Sequence, residues 1–258
     1  MPLPALPVMV AACKKRFYGR DLAMALLDDA IEASGGLERW SQLSRFTLHI
    51  SIGGKLFART GHGSDFKDLI AEGSTRRQSV RFTGVSGGEK CGSFQPDAIT
   101  IESLDGEILR TWPNPSLAFP DVEKDPLADD LHLVFFCGVA IWNYLTTPFL
   151  LARPDVEVEE LTPWQEHSGL WRRLRARFPP DILTHSAEQV FYFDEKALQR
   201  RTDHDLLGSK VAHYSWAHQT FNGIVVPTLR RSLMLQPDGT ATAKPVLVDV
   251  EIFDALLE

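Results

Sequence analysis

The sequence predicts an α+β fold: a strongly curved antiparallel sheet, a half-barrel of about eleven strands in meander order, with helices covering its concave face. Three observations carry this. Apolar and polar residues alternate with a period of two along most of the chain. The runs are joined by short, glycine-bearing connections, whereas parallel strands need crossovers of a dozen residues or more. Two segments instead show helical spacing or a long apolar run. A sheet this long must curl, and the helices are available to fill its trough.

Residues 1–19 read as an N-terminal arm and residues 20–258 as one domain, with helices over about 20–43 and 126–147. In the first helix Leu22, Leu26, Ala30 and Ala33 recur on one face, and Gly35-Gly36 supplies the stop. A short helical turn, LERWSQL, follows. From Arg45 the period changes to two: in RFTLHISI, Phe46, Leu48, Ile50 and Ile52 alternate with Arg45, Thr47, His49 and Ser51. KLFART, DFKDLIAEG, TRRQSVRFTG, KCGSFQ, AITIES and GEILRTW continue as strands, with Asp105-Gly106 as a hairpin turn. A proline-rich loop, Pro113 to Pro126, breaks this meander. DPLADDLHLVFFCGVAIWNYLTTPFLL then reads as the main buried helix, with Asp125 as N-cap, Pro126 at its first position and Pro148 ending it. Strands resume with VEVEEL, LWRRLRARF, EQVFYFD, LQRRTDHD, KVAHYSWAHQTF, GIVVPTLRRSLML and KPVLVDVEIF. Asp203-His204-Asp205 with Gly208 reads as turn chemistry, and Asn222-Gly223 as a tight hairpin turn.

With 258 residues, 44% hydrophobic and 24% charged, the chain can build a substantial core. Its net charge of -7 argues against nucleic acid, which demands clustered Lys and Arg. Cys13, Cys91 and Cys137 form no CxxC pair, so neither a disulfide framework nor a zinc site is expected. The start ends in VAAC, yet its prolines and the position of its basic residues run against an export signal, so a cytoplasmic location is expected. Leu131 to Leu151 contains His132 and Asn143 and reads as a buried helix, without stable membrane insertion. Neither GxSxG, a Walker loop nor a dinucleotide GxGxxG occurs, so no cofactor is expected.

The helix ending in EASGGLERWSQL, the run FYFDEKALQRRTDHD, then AHYSWAHQTFNGIVVPTLRR and the last strand VLVDVEIF resemble the lipoprotein-carrier superfamily of LolA and LolB type. The resemblance covers most of the chain from about Arg20. It implies a bent antiparallel half-barrel with helices in its mouth and a hydrophobic cavity for lipid-like ligands.

Within that frame the residues allow two functions. In the first, the cavity binds a hydrophobic small molecule or lipid. If their face is the inner one, which the sequence leaves open, Tyr214 and Trp216, with Tyr192, Trp142, Tyr144 and His49, are its candidate ligand contacts, flat apolar walls with a few polar handles; Trp142 and Tyr144 read more readily as core, and His49 as a solvent-exposed strand residue. In the second, a cofactor-independent cyclase, isomerase or hydrolase of secondary metabolism uses the same cavity, with His218, His213 and Asp194 as acid-base candidates, since burial moves carboxylate and imidazole pKa values toward each other. His213 and His218 fall on opposite faces of one strand, which argues against a shared metal. His218 reads more readily as a satisfied core histidine. His185, at a loop-to-strand junction, is a further acid or base candidate.

Overall fold

A computed structural model describes residues 25–115, 129–167 and 169–258. The proposed N-terminal arm, the start of the first helix, Cys13, Asp125 and Pro126 lie outside them. Helix α1 covers residues 25–33 and ends where Gly35 and Gly36 take φ of 115° and 81°, the conformation a β-carbon disfavours. Helix α2, Leu37–Ser41, follows.

The first ladder comprises β1 (Arg45–Gly53), β2 (Leu69–Ser74), β3 (Val80–Gly84), β4 (Lys90–Gln95), β5 (Ala98–Ser103) and β6 (Ile108–Pro113). Between β1 and β2 the run KLFART, read as a strand, is helix α3, Lys55–Arg59. Its apolar residues, Leu56 and Phe57, are adjacent rather than alternating, and only Phe57 of the segment is buried. The amides of Lys55 and Leu56 donate to the carbonyls of Val246 and Leu247, tying this turn to the approach of the last strand. A second short helical turn, α4 (Val85–Gly88), links β3 to β4.

Helix α5, Asp130–Thr146, carries the chain from β6 to the opposite edge of the sheet. Asp129 caps it, accepting from the His132 amide at 3.1 Å, so the described helix starts after the Asp125 cap that the sequence suggested. Arg110 of β6 ion-pairs with both Asp129 and Asp130, pinning this end to the sheet edge. Pro148 follows the C-cap Thr147, as expected.

The second ladder is β7 (Glu157–Glu166), β8 (Gly169–Arg177), β9 (Glu188–Phe193), β10 (Gln199–Leu206), β11 (Ser209–Phe221), β12 (Ile224–Met234) and β13 (Val248–Leu257). β13 pairs antiparallel with β1, Phe46 lying opposite Leu257. The sheet is therefore two meanders zipped together, in the order β6-β5-β4-β3-β2-β1-β13-β12-β11-β10-β9-β8-β7. It is the expected curved, unclosed antiparallel half-barrel, with thirteen strands where about eleven were expected. Asp203, His204 and Asp205 lie within β10 rather than in a turn. The turn is Leu207-Gly208, with φ of 50° and 77°, and these two residues meet the positive-φ demand of a two-residue hairpin. Asn222-Gly223, at 48° and 86°, does the same between β11 and β12, as predicted.

Helix α5 is buried along most of its length, and among the described residues no helix is long and apolar enough to cross a membrane. It packs most closely on β3, β4, β5 and β6. Gly138 of the helix meets Phe94, and Gly92 of β4 meets Val134; a β-carbon at either glycine would overlap its neighbour. At these two glycines the helix and β4 are interlocked. Trp142, expected at the ligand wall, belongs to this packed side and donates its indole N–H to the Ser74 carbonyl at 2.8 Å. Gly138→Val should cost about 1–3 kcal/mol or more by overpacking, read as a lowered urea midpoint with an unchanged slope. An unchanged midpoint would show that the helix is not seated on β4 as described.

Candidate functional site

The alternating rows of the second ladder give it two different faces. Toward α5 point Val226, Thr228, Arg230 and Ser232 of β12, His213 and Ser215 of β11, and Thr202 and His204 of β10, all buried. The register sets Ser232 opposite His213 and His213 opposite Thr202, so these polar residues form one band across three strands.

Tyr144 of α5 meets this band. Its hydroxyl lies 3.3 Å from His213 Nδ1, which is also 2.6 Å from Ser232 Oγ. Its ring lies 4.7 Å from the Arg230 guanidinium. On either side of Tyr144 the helix and the sheet fail to close. One crevice, of about 20 Å³, is lined by Asn143, Tyr144, Phe178, Phe191, His185 and His204. The other, of about 10 Å³, has walls of Leu48, Ile141, Leu145, Val226 and Val250, with Arg230 as its charged group. Each has room for little more than one water molecule. Among the described residues the open chamber expected from the sequence is therefore narrowed to slots such as these, because α5 itself occupies the trough.

The band is rich in polar atoms that the protein leaves without partners. Asn143 Oδ1, His204 Nδ1, His213 Nε2 and Arg230 Nε are buried and have no hydrogen-bond partner among the described residues. Buried polar atoms are normally paired; Arg175 Nε and Thr242 Oγ1 are exceptions elsewhere, but four exceptions fall together on this side of α5. Burial lowers the His185 pKa to about 3, with help from His204, and the His204 pKa to about 4. Burial, with Arg230 and the other two histidines, puts His213 well below its ordinary value. All three are neutral at pH 7. Burial likewise pushes the Tyr144 phenol up. His185, His204 and His213 line up with ring centroids 6.5 and 6.3 Å apart. Among the described residues no three His, Cys, Asp or Glu side chains converge as metal ligands.

The structure sorts the sequence candidates. Tyr144 and His213 meet on the helix-facing side. Tyr214, Trp216 and Tyr192, candidates for the trough wall, lie on the other face, which the sequence left open. The cause is Arg201, which is 0% exposed and draws the rings of Tyr192, Tyr214 and Trp164 around its guanidinium on that side. Trp216 stacks on Tyr214, with centroids 5.6 Å apart. His49 is also on the outer face, 2.6 Å from Asp68 and edge-on to Phe253. His218 Nε2 donates to the Gln199 carbonyl at 3.0 Å. Asp194 accepts from the amides of Lys196 and Leu198, which makes it the organiser of the β9–β10 turn. His213, His218 and Asp194 are thus engaged separately rather than in one relay.

Arg230, Asn143 and Ser232 were not singled out in the sequence. A signal for Arg230 exists: Arg230-Arg231 sits inside the alternating run GIVVPTLRRSLML, so period two forces one of the pair into the buried row.

No family model and no curated protein matches this sequence. Among solved structures, a LolA-superfamily protein from Nitrosomonas europaea superposes with a TM-score of 0.50 at 9% identity, over 92% of this chain and 93% of that one. The fold is LolA-like. A DUF1329-family protein from Desulfovibrio piger is similar over 92% of this chain and 93% of its own, with a TM-score of 0.44 and 10% identity. In this LolA-like sheet the polar band and both slots lie on the face covered by α5, where the sequence resemblance put the ligand.

Proposed function

We propose that the protein reversibly binds a hydrophobic small molecule or acyl chain between α5 and strands β9 to β13. One observation carries this reading: α5 is interlocked with β4 through Gly92 and Gly138, yet on its other flank it leaves two slots and a set of unpartnered polar atoms. A fully committed core has few of either, and seldom both at one interface. Pockets for drug-sized molecules span roughly 300–1,000 Å³, far more than the slots of about 20 and 10 Å³. Binding therefore requires the C-terminal strands and α5 to part, with Tyr144 as the side chain between the two slots. The apolar walls then supply roughly 25 cal/mol for each Å² of ligand surface removed from water. The fold adds support, since a half-barrel with helices in its mouth is a container, although a fold alone fixes no function.

The test is a titration with the neutral apolar fluorophore N-phenylnaphthylamine. Saturable binding at one site per chain is expected. Tyr144→Ala, which joins the slots, should tighten it by about tenfold, equivalent to roughly 1.4 kcal/mol. Absence of saturable binding, or a Tyr144→Ala variant that binds no better, would contradict the reading.

A further inference from the structure

Arg230 is a buried cation for which the described structure shows no acid. It is 2% exposed. Its Nη1 donates to Ser215 Oγ at 3.0 Å and its Nη2 to the Tyr144 carbonyl at 3.2 Å, both neutral, and Nε has no partner among the described residues. The other fully buried arginine of this sheet, Arg201, is held by two carboxylates, Asp203 at 2.6 Å and Glu166 at 3.0 Å. The contrast matters because an ion taken out of water without a counter-ion is costly, and proteins that bury a guanidinium ordinarily give it a carboxylate.

The environment of Arg230 is also asymmetric. Its slot is walled by Leu48, Ile141, Leu145, Val226, Val250 and Ile252 together with the Tyr144 ring, 4.7 Å from the guanidinium, which is the charged group among them. One cation set in aliphatic walls is the arrangement that recognises an amphiphile: a chain along the walls and one negative charge at the guanidinium. A single charge fits best. A carboxylate neutralises Arg230, whereas a phosphate dianion would leave an excess negative charge among hydrocarbon side chains. Because the desolvation of Arg230 is already built into the folded protein, an incoming carboxylate adds only its own dehydration to the balance.

Resting on the binding reading above, we infer that the preferred ligand is an unesterified fatty acid or similar apolar monocarboxylate, with its carboxylate on Arg230 and its chain between α5 and β12–β13. The free acid is favoured over an acyl lipid because esterification removes the charge that Arg230 would meet. Burial, opposed by the Tyr144 phenol, also lowers the Arg230 pKa to about 10, so the side chain remains charged at neutral pH.

The experiment is displacement of bound N-phenylnaphthylamine at pH 8 by dodecanoic acid, its methyl ester and 1-dodecanol. The acid should displace at a concentration at least about tenfold below the other two, a difference of roughly 1.4 kcal/mol. Arg230→Met, which substitutes an apolar side chain of similar length, should erase that preference while retaining the fluorophore. Its fold is checked by circular dichroism, and the acid-to-alcohol ratio of the unaltered protein decides the matter even if that variant does not fold. Equal displacement by acid and alcohol, or failure of the acid to displace a fluorophore that binds, would overturn the carboxylate assignment and leave apolar binding standing. Failure of the fluorophore to bind would remove both.

Discussion

Replacing Arg201 with Met is expected to destabilise the protein by about 3–5 kcal/mol, the cost of removing one partner from a buried ionic network. Arg201 is 0% exposed and centres the outer-face cluster. It grips Asp203 with Nε and Nη2 at 2.6 and 2.9 Å, Glu166 with Nη1 at 3.0 Å, and the Gly239 carbonyl at 2.7 Å. Tyr192 adds a hydrogen bond to Asp203 at 2.6 Å. Methionine retains much of the packing but leaves two largely buried carboxylates without their cation. Burial already pushes the Asp203 pKa up against the pull of Arg201, so its loss drives that carboxyl toward the protonated form. Denaturant titration of Arg201→Met against Arg201→Met/Asp203→Leu separates charge from packing. The double variant should recover part of the loss, and a single variant as stable as the parent would show that the network is not closed as described.

Acidification should unfold the protein well before its carboxylates titrate fully. The folded-state pKa values of His185, His204 and His213 lie below the ordinary histidine value of 6.5, at about 3, about 4 and well below, all chiefly because of burial. In the unfolded chain these rings protonate near 6.5, so below that pH the unfolded state holds more protons than the folded one. The sign is therefore that stability is complete above about pH 6.5 and falls as the pH drops from there toward 4. Each histidine contributes a slope of about 1.4 kcal/mol per pH unit, and three together about 4. Urea midpoints at pH 7, 6 and 5 measure this. His204→Gln should reduce the slope by about one third, whereas a midpoint independent of pH across this interval would contradict the burial of the three rings.

Much of the sheet was readable because its N-terminal half has one wet face. In RFTLHISIG the buried positions alternate as the apolar residues do, and the outward His49 is half solvated. The second ladder defeats the same logic. In β10 and β11 both faces are partly closed, one by α5 and the other by the aromatic cluster around Arg201, so alternation exists but carries no mark of inside and outside. The discontinuity in register between Gln199 and Arg201 further shifts which residues share a row. Tyr214, aromatic and suited to a pocket, lines a buried arginine instead, and Trp216 stacks on it. The pairing of β1 with β13 joins the first and last strands and rests on contacts that no local window contains. For the candidate site, Tyr144 and His213 were legible as residues, but their meeting required the path of α5.

The account depends on α5 being fastened to one half of the trough and separable from the other. A crystal structure of the protein grown with N-phenylnaphthylamine tests this directly. The account predicts the fluorophore between α5 and β9–β13, with the Tyr144 ring displaced and Gly138 still seated on Phe94. The fluorophore on the outer aromatic face, or a Tyr144 that keeps its place against His213 and Arg230, would contradict it.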